Sequence, residues 1–158
     1  MRSVALDLDG VLGDTRGLWR AWLEDAARRY RSIAPLDPDA LPGDRASAAG
    51  ELDRWAAAGV GDWRAALERF AEDRAPVHLR PDPGVNALLR RLVTGGVRLG
   101  AFTDAPQPLA RVAVAQLGAA RRLEALEAGP GALERLLERL PPPVAIARTR
   151  AELAEHAG

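Results

Sequence analysis

The chain has 158 residues, and its 22 basic and 22 acidic side chains cancel, so with no uninterrupted basic block there is no electrostatic footprint for nucleic acid. Cysteine is absent, which excludes a disulfide framework, a thiolate zinc site and a catalytic thiol. Hydrophobic residues at 47% and charged residues at 28% fit a soluble globular chain with one core and a small appendage. No apolar stretch reaches bilayer-spanning length and nothing reads as a signal peptide, so a cytoplasmic protein with no membrane partner is expected.

The first element is a short apolar strand beginning at Ser3 and running into Asp7-Leu8-Asp9-Gly10-Val11-Leu12. Alternate residues of an extended chain face opposite sides. At a strand's carboxyl end, however, Gly10 lets the backbone turn so that both carboxylates border one crevice. Three other readings fit less well. A calcium loop counted from Asp7 needs an acid where Val11 stands and Glu where Leu18 stands. The metal-binding acid pair of a sugar transferase would not normally open so short a chain. Two acids that merely cap a turn remain the bland alternative.

Helical spacing follows from Gly17 to about Ile33, carried by Leu18, Trp19, Trp22, Leu23, Ala26, Ala27 and Tyr30, with Asp14 or Thr15 placed to cap its start. Asp37-Pro38 and Leu41-Pro42-Gly43 interrupt the chain. A second helix is expected over roughly Ala46 to Ala58, and a third after Asp62 with Trp63, Ala66, Leu67 and Phe70 on its apolar stripe. A βα rhythm then resumes: a helix after Pro81-Asp82-Pro83-Gly84, a strand from Val97 to Thr103, and a helix over Pro106 to Leu117. A strand at Leu123 to Leu126, a helix over Ala132 to Leu140 and a strand from Val144 to Ala147 complete it. Strands alternating with helices predict a parallel sheet covered on both faces, with Val4 to Leu8 central between Val97–Phe102 and Val144–Ala147.

Asp7-Leu8-Asp9-Gly10-Val11-Leu12, followed much later by Leu99-Gly100-Ala101-Phe102-Thr103-Asp104, resembles the first two motifs of the haloacid-dehalogenase-like (HAD) hydrolases. The resemblance covers nearly the whole chain and is to the phosphoglycolate-phosphatase-like members. It implies an α/β fold: a Rossmann-like parallel sheet core over residues 1–13 and 80–158, and a small inserted helical cap over 14–79. It further implies a magnesium-dependent phosphatase acting on a small phosphorylated metabolite. Asp7 would attack phosphorus, Asp9 would protonate the leaving oxygen and then activate water, and Thr103 would hold a phosphoryl oxygen. Magnesium would sit on the Asp7 carboxylate and the Asp9 carbonyl oxygen. Gly10, Asp104, Arg16 at the hinge and Trp19 just beyond the first motif are the candidate substrate contacts.

The second half of the family pattern departs. Gly129 falls where the third motif has lysine, and Arg121, Arg122, Arg148 and Arg150 are candidate substitutes, though a guanidinium is not an equivalent point charge. Arg148-Thr149-Arg150-Ala151-Glu152 follows the strand where the fourth motif places its acids. Metal binding is therefore expected to be weak, with Asp104 or Glu152 as replacement ligands. A catalytically silent member that binds a phospho-ligand or a protein partner is the alternative function. Trp22, Trp55 and Trp63 fit the cap core, and His78 and His156 lack ligand spacing.

Overall fold

The computed structural model describes residues 2–158. The four strands are β1 (Ser3–Asp7), β2 (Arg98–Thr103), β3 (Leu123–Ala128) and β4 (Val144–Ala147). They form one sheet in the order β3-β2-β1-β4, with every pairing parallel. The first strand is central, as its fully buried Val4, Ala5 and Leu6 require. A strand buried on both faces reads as a continuous apolar run, and parallel pairing demands crossover helices.

Seven helices account for most of the remainder: α1 (Arg16–Tyr30), α2 (Arg45–Trp55), α3 (Trp63–His78), α4 (Pro83–Thr94), α5 (Gln107–Gln116), α6 (Ala132–Arg139) and α7 (Arg150–Ala157). Aspartates cap three of these helices, Asp62 as expected from the sequence. Asp44 accepts from the amide of Ala46, Asp62 from that of Ala65, and Asp82 from those of Gly84 and Val85, satisfying amides that have no partner within the helix. Thr15 is the exception. It precedes α1 but makes no side-chain cap, because its hydroxyl is committed to Asp9.

The helical insertion α1–α3 closes on itself through aromatic packing. Trp19, Trp22 and Trp63 stack with ring centroids 5.5 to 6.5 Å apart. The Trp55 indole donates to the Ala34 carbonyl at 2.7 Å and that of Trp63 to Asp53 at 2.9 Å, which removes the cost of burying their N–H groups. Helix α3 also packs along α5. A single apolar cluster therefore runs from Leu6 and Leu99 in the sheet through Leu109 and Ala113 to Leu67 and Trp63.

The sheet is not covered equally on its two faces. Val4, Leu6 and Leu99 belong to that large cluster, whereas Ala5, Phe102 and Ala125 pack against Ala132, Leu136 and Leu140 of α6 and its C-terminal end. Contact is close enough that a Cβ on Gly100 would stand 2.6 Å from Leu136. Helix α6 reaches β1, β2 and β3, and Val144 of β4 still packs against this cluster, but Ile146 of β4 is 37% exposed. Coverage on both faces thus holds for the centre of the sheet and thins toward the end of β4. Among the described residues no helix is long and apolar enough to cross a membrane.

Candidate active site

Register and pleat bring three side chains to one side of the sheet's carboxyl end. Asp7 pairs with Phe102 across β1 and β2, and Ala5 pairs with Ile146 across β1 and β4. Counting in twos places Asp7, Phe102 and Arg148 on the same face. Arg148, the first residue beyond β4, lies with its guanidinium 5.4 Å from the centre of the Phe102 ring and Nη1 3.8 Å from Asp7 Oδ2.

Asp9 is turned away from that line by a kinked helical turn over Leu8–Leu12, in which Asp9 (φ −85°, ψ 82°) and Gly10 (φ 148°, ψ −34°) leave helical geometry. Gly10 is required twice over. Its φ is in the region that L side chains avoid, and a Cβ there would stand 2.5 Å from the Arg148 carbonyl oxygen. Gly10→Ala is therefore expected to cost upwards of about 2 kcal/mol in urea unfolding, from backbone strain and overpacking against β4. A loss below about 0.5 kcal/mol, the range of neutral surface changes, would show that the turn relaxes freely.

The Asp9 carboxylate is surrounded by donors. Oδ1 accepts from the Thr15 amide at 2.8 Å and the Thr15 hydroxyl at 2.6 Å, while Oδ2 accepts from the Thr103 hydroxyl at 2.6 Å and Arg45 Nη2 at 2.7 Å. Arg45 was not among the candidates from sequence, yet it is 3% exposed. It also donates through Nη1 to the Thr15 hydroxyl at 2.6 Å and through Nη2 to Asp104 Oδ1 at 2.7 Å. Burial opposes its charge, but hydrogen bonding to Asp104 and the field of Asp9 outweigh that and raise its pKa. One guanidinium thus ties the first turn of α2 to two acids of the sheet.

A faint signal for Arg45 exists in the sequence. It is the first residue of α2, where the helix dipole disfavours a cation unless acceptors face it. In a chain whose basic residues are so numerous, that signal does not stand out.

Asp7 is less encumbered. Its Oδ1 accepts from the Asp9 amide at 3.2 Å, and among the described residues Oδ2 has only the distant Arg148. Burial pushes its carboxyl above the ordinary value, and the neighbouring Asp9 adds to the rise; the Asp9 amide and Arg148 pull the other way. Asp7, Asp9, Thr103, Asp104, Arg16, Arg45, Arg148 and Gly129 line one open cleft of about 410 Å³. A larger groove of about 580 Å³ between α3 and α5 lacks such a convergence, being lined by Glu68, Glu72, Arg111 and Gln116 beside small apolar residues.

The remaining candidates lie outside the cleft or carry no free group in it. Trp19 is 7% exposed inside the aromatic cluster and does not line the cleft. Arg16 lines it but is bound by two hydrogen bonds to Asp14. Arg121 and Arg122 precede β3, at the opposite end of the parallel sheet. Arg150 donates to the Val11 carbonyl and to Asp82, and Gly129 leaves no side chain where the third-motif lysine would stand.

The donor set does not suit magnesium. Both oxygens of Asp104 are taken by Arg45. Glu152 accepts from the Arg148 amide at the start of α7, so each replacement ligand is engaged by another group, Asp104 although it lines the same cleft as Asp7. Among the described residues there is no cluster of three or more metal-ligating side chains. The charge nearest Asp7 Oδ2 beyond β4 is a guanidinium instead.

The strand order, the paired aspartates at the tip of the central strand and the helices inserted directly after them give the chain the HAD-like α/β fold. It is similar to CbbY from Rhodobacter sphaeroides in complex with phosphate, at 17% identity and a TM-score of 0.65 over 99% of this chain and 82% of that one. A CbbY mutant in complex with xylulose-(1,5)bisphosphate matches at 17% identity and a TM-score of 0.64, with the same coverage. A protein named as a beta-phosphoglucomutase from Thermotoga maritima matches at 21% identity and a TM-score of 0.57, over 100% of this chain and 82% of that one. At these identities the likeness is one of fold. No protein-family model and no curated protein sequence matches the chain.

Proposed function

We propose that the protein is a HAD-type phosphoric monoester hydrolase of a small phosphorylated metabolite, with residues 14–79 serving as the cap over its cleft. The observation that carries this reading is the Asp7 carboxylate, standing at the tip of the central strand and lining the cleft, with Oδ2 free of any hydrogen bond among the described residues. A cleft of about 410 Å³ suits a small ligand. The complexes of CbbY with phosphate and with a sugar bisphosphate agree in chemistry.

In this reading Asp7 Oδ2 attacks phosphorus, the bond to the leaving oxygen breaks, and water later releases phosphate from the acyl phosphate. Asp9 is the acid and base of the two steps, and Thr103 positions it. Asp9 here accepts four hydrogen bonds, from the Thr15 amide and hydroxyl, the Thr103 hydroxyl and Arg45, the last of which clamps it to α2. To reach the leaving oxygen its carboxyl must exchange one of these donors for the substrate.

The same clamp favours a second reading, that of a phospho-ligand binder without turnover. Steady-state release of phosphate from p-nitrophenyl phosphate and a panel of sugar and small-acid phosphates, run with chelator and with millimolar magnesium, separates the two. Measurable turnover supports the hydrolase. Saturable phosphate binding without turnover supports the silent binder, and the absence of both removes the phosphoryl site altogether.

A further inference from the structure

Two cations of the cleft are already spent. Arg45 is consumed by Asp9, Asp104 and Thr15, and Arg16 by Asp14. Arg148 differs from both. Its side chain is 55% exposed, and among the described residues its guanidinium makes no hydrogen bond, only the 3.8 Å approach to Asp7 Oδ2. It is nevertheless fixed at its base. The Arg148 amide is held by Glu152, its carbonyl abuts Gly10, and its guanidinium rests against the Phe102 ring.

The geometry points to Arg148 as the phosphate-binding cation of this cleft, taking the place that a divalent metal would hold, so that the site binds a phosphate dianion without metal. This rests on the phosphoryl-site reading above and adds to it the identity of the counter-charge. Three features converge on it. The position directly after β4 carries a fixed positive charge rather than an acid. The acids that might relocate a metal are occupied by Arg45 and by the start of α7. A guanidinium offers five N–H donors in a plane, matched to two phosphoryl oxygens at once. Bound alongside this pair, a phosphate can present phosphorus to Oδ2 while two of its other oxygens face the guanidinium. A cation at that point also screens the carboxylate from the dianion it must approach.

The test is calorimetric titration of inorganic phosphate into the protein, with chelator and with millimolar magnesium, for wild type, Arg148→Gln, Arg148→Lys and the remote charge control Arg90→Gln. The expected result is an affinity in chelator within twofold of that in magnesium. Arg148→Gln should weaken it about 10- to 100-fold, the usual range for losing charge-assisted hydrogen bonds, with thermal stability retained. Arg148→Lys should recover part of the loss as a point charge without the fork, and Arg90→Gln should bind as wild type. Binding that requires magnesium, or that persists in Arg148→Gln, overturns the assignment of Arg148 while leaving the phosphoryl site in place. Failure to bind phosphate under either condition overturns the site and the assignment together.

Discussion

Arg45→Ala is expected to destabilise the fold by about 3–5 kcal/mol, because it removes one partner of a buried ion pair and leaves the other uncompensated. The pair qualifies as buried, with side-chain exposures of 4% for Arg45 and 11% for Asp9 at 2.7 Å. The carboxylate left behind keeps the two Thr15 donors and Thr103, but not its counter-charge. For a chain of this length such a loss corresponds to a fall in melting temperature of roughly 6–20 °C. Chemical unfolding of Arg45→Ala, Asp9→Asn and the double variant gives the coupling energy directly. A single-variant loss below about 1 kcal/mol, typical of exposed ion pairs, would mean that water replaces Arg45 without cost.

The contrast between Asp7 and Arg45 shows what sequence can carry. The fold was legible because its evidence is local: apolar runs mark β1 and β2, aspartates cap α2, α3 and α4, and glycines stop the helices between them. The site's first half was legible for the same reason, since Asp7, Asp9 and Gly10 are adjacent and their geometry follows from one strand ending in one turn. Arg45 lies 36 residues from Asp9 in the chain, and only tertiary packing tells it from the surface arginines. Thr15 shows the reverse difficulty. Its position is that of a helix cap, yet the carboxylate of Asp9 is the better acceptor for its hydroxyl. Val144 to Ala147 reads like an internal strand because its residues are apolar, but whether a helix covers Ile146 depends on where α6 docks. The absence of a Cβ at Gly100 lets Leu136 of α6 close onto β2.

Trp19 makes the same point about substrate contacts. Proximity to the first motif placed it among the candidates, whereas its helical spacing with Trp22 placed it in the cap core. The aromatic packing with Trp22 and Trp63 satisfies the second. A ring so enclosed cannot meet a ligand in the cleft without dismantling the packing of α1 on α3.

Asp7→Asn is expected to do two opposite things. Removing the nucleophile should lower hydrolysis on the order of 10³-fold or more, with phosphate release falling to the level of buffer. Stability should rise at neutral pH. Burial and the adjacent Asp9 raise the Asp7 pKa in the folded chain above its ordinary 3.8, so the unfolded chain gives up this proton more readily. The stabilising contribution of protonated Asp7 is complete below about pH 3.8, the ordinary value, and is lost as pH climbs through the raised folded value. Asparagine does not titrate and keeps the neutral state throughout. The melting temperature of Asp7→Asn minus that of wild type should therefore grow across that acidic window and then stay level toward neutrality. Thermal melts from about pH 3 to pH 8 measure it. A difference that shrinks with rising pH would mean that Arg148 and the Asp9 amide outweigh burial, and that the ionised nucleophile is a stabilising part of the fold.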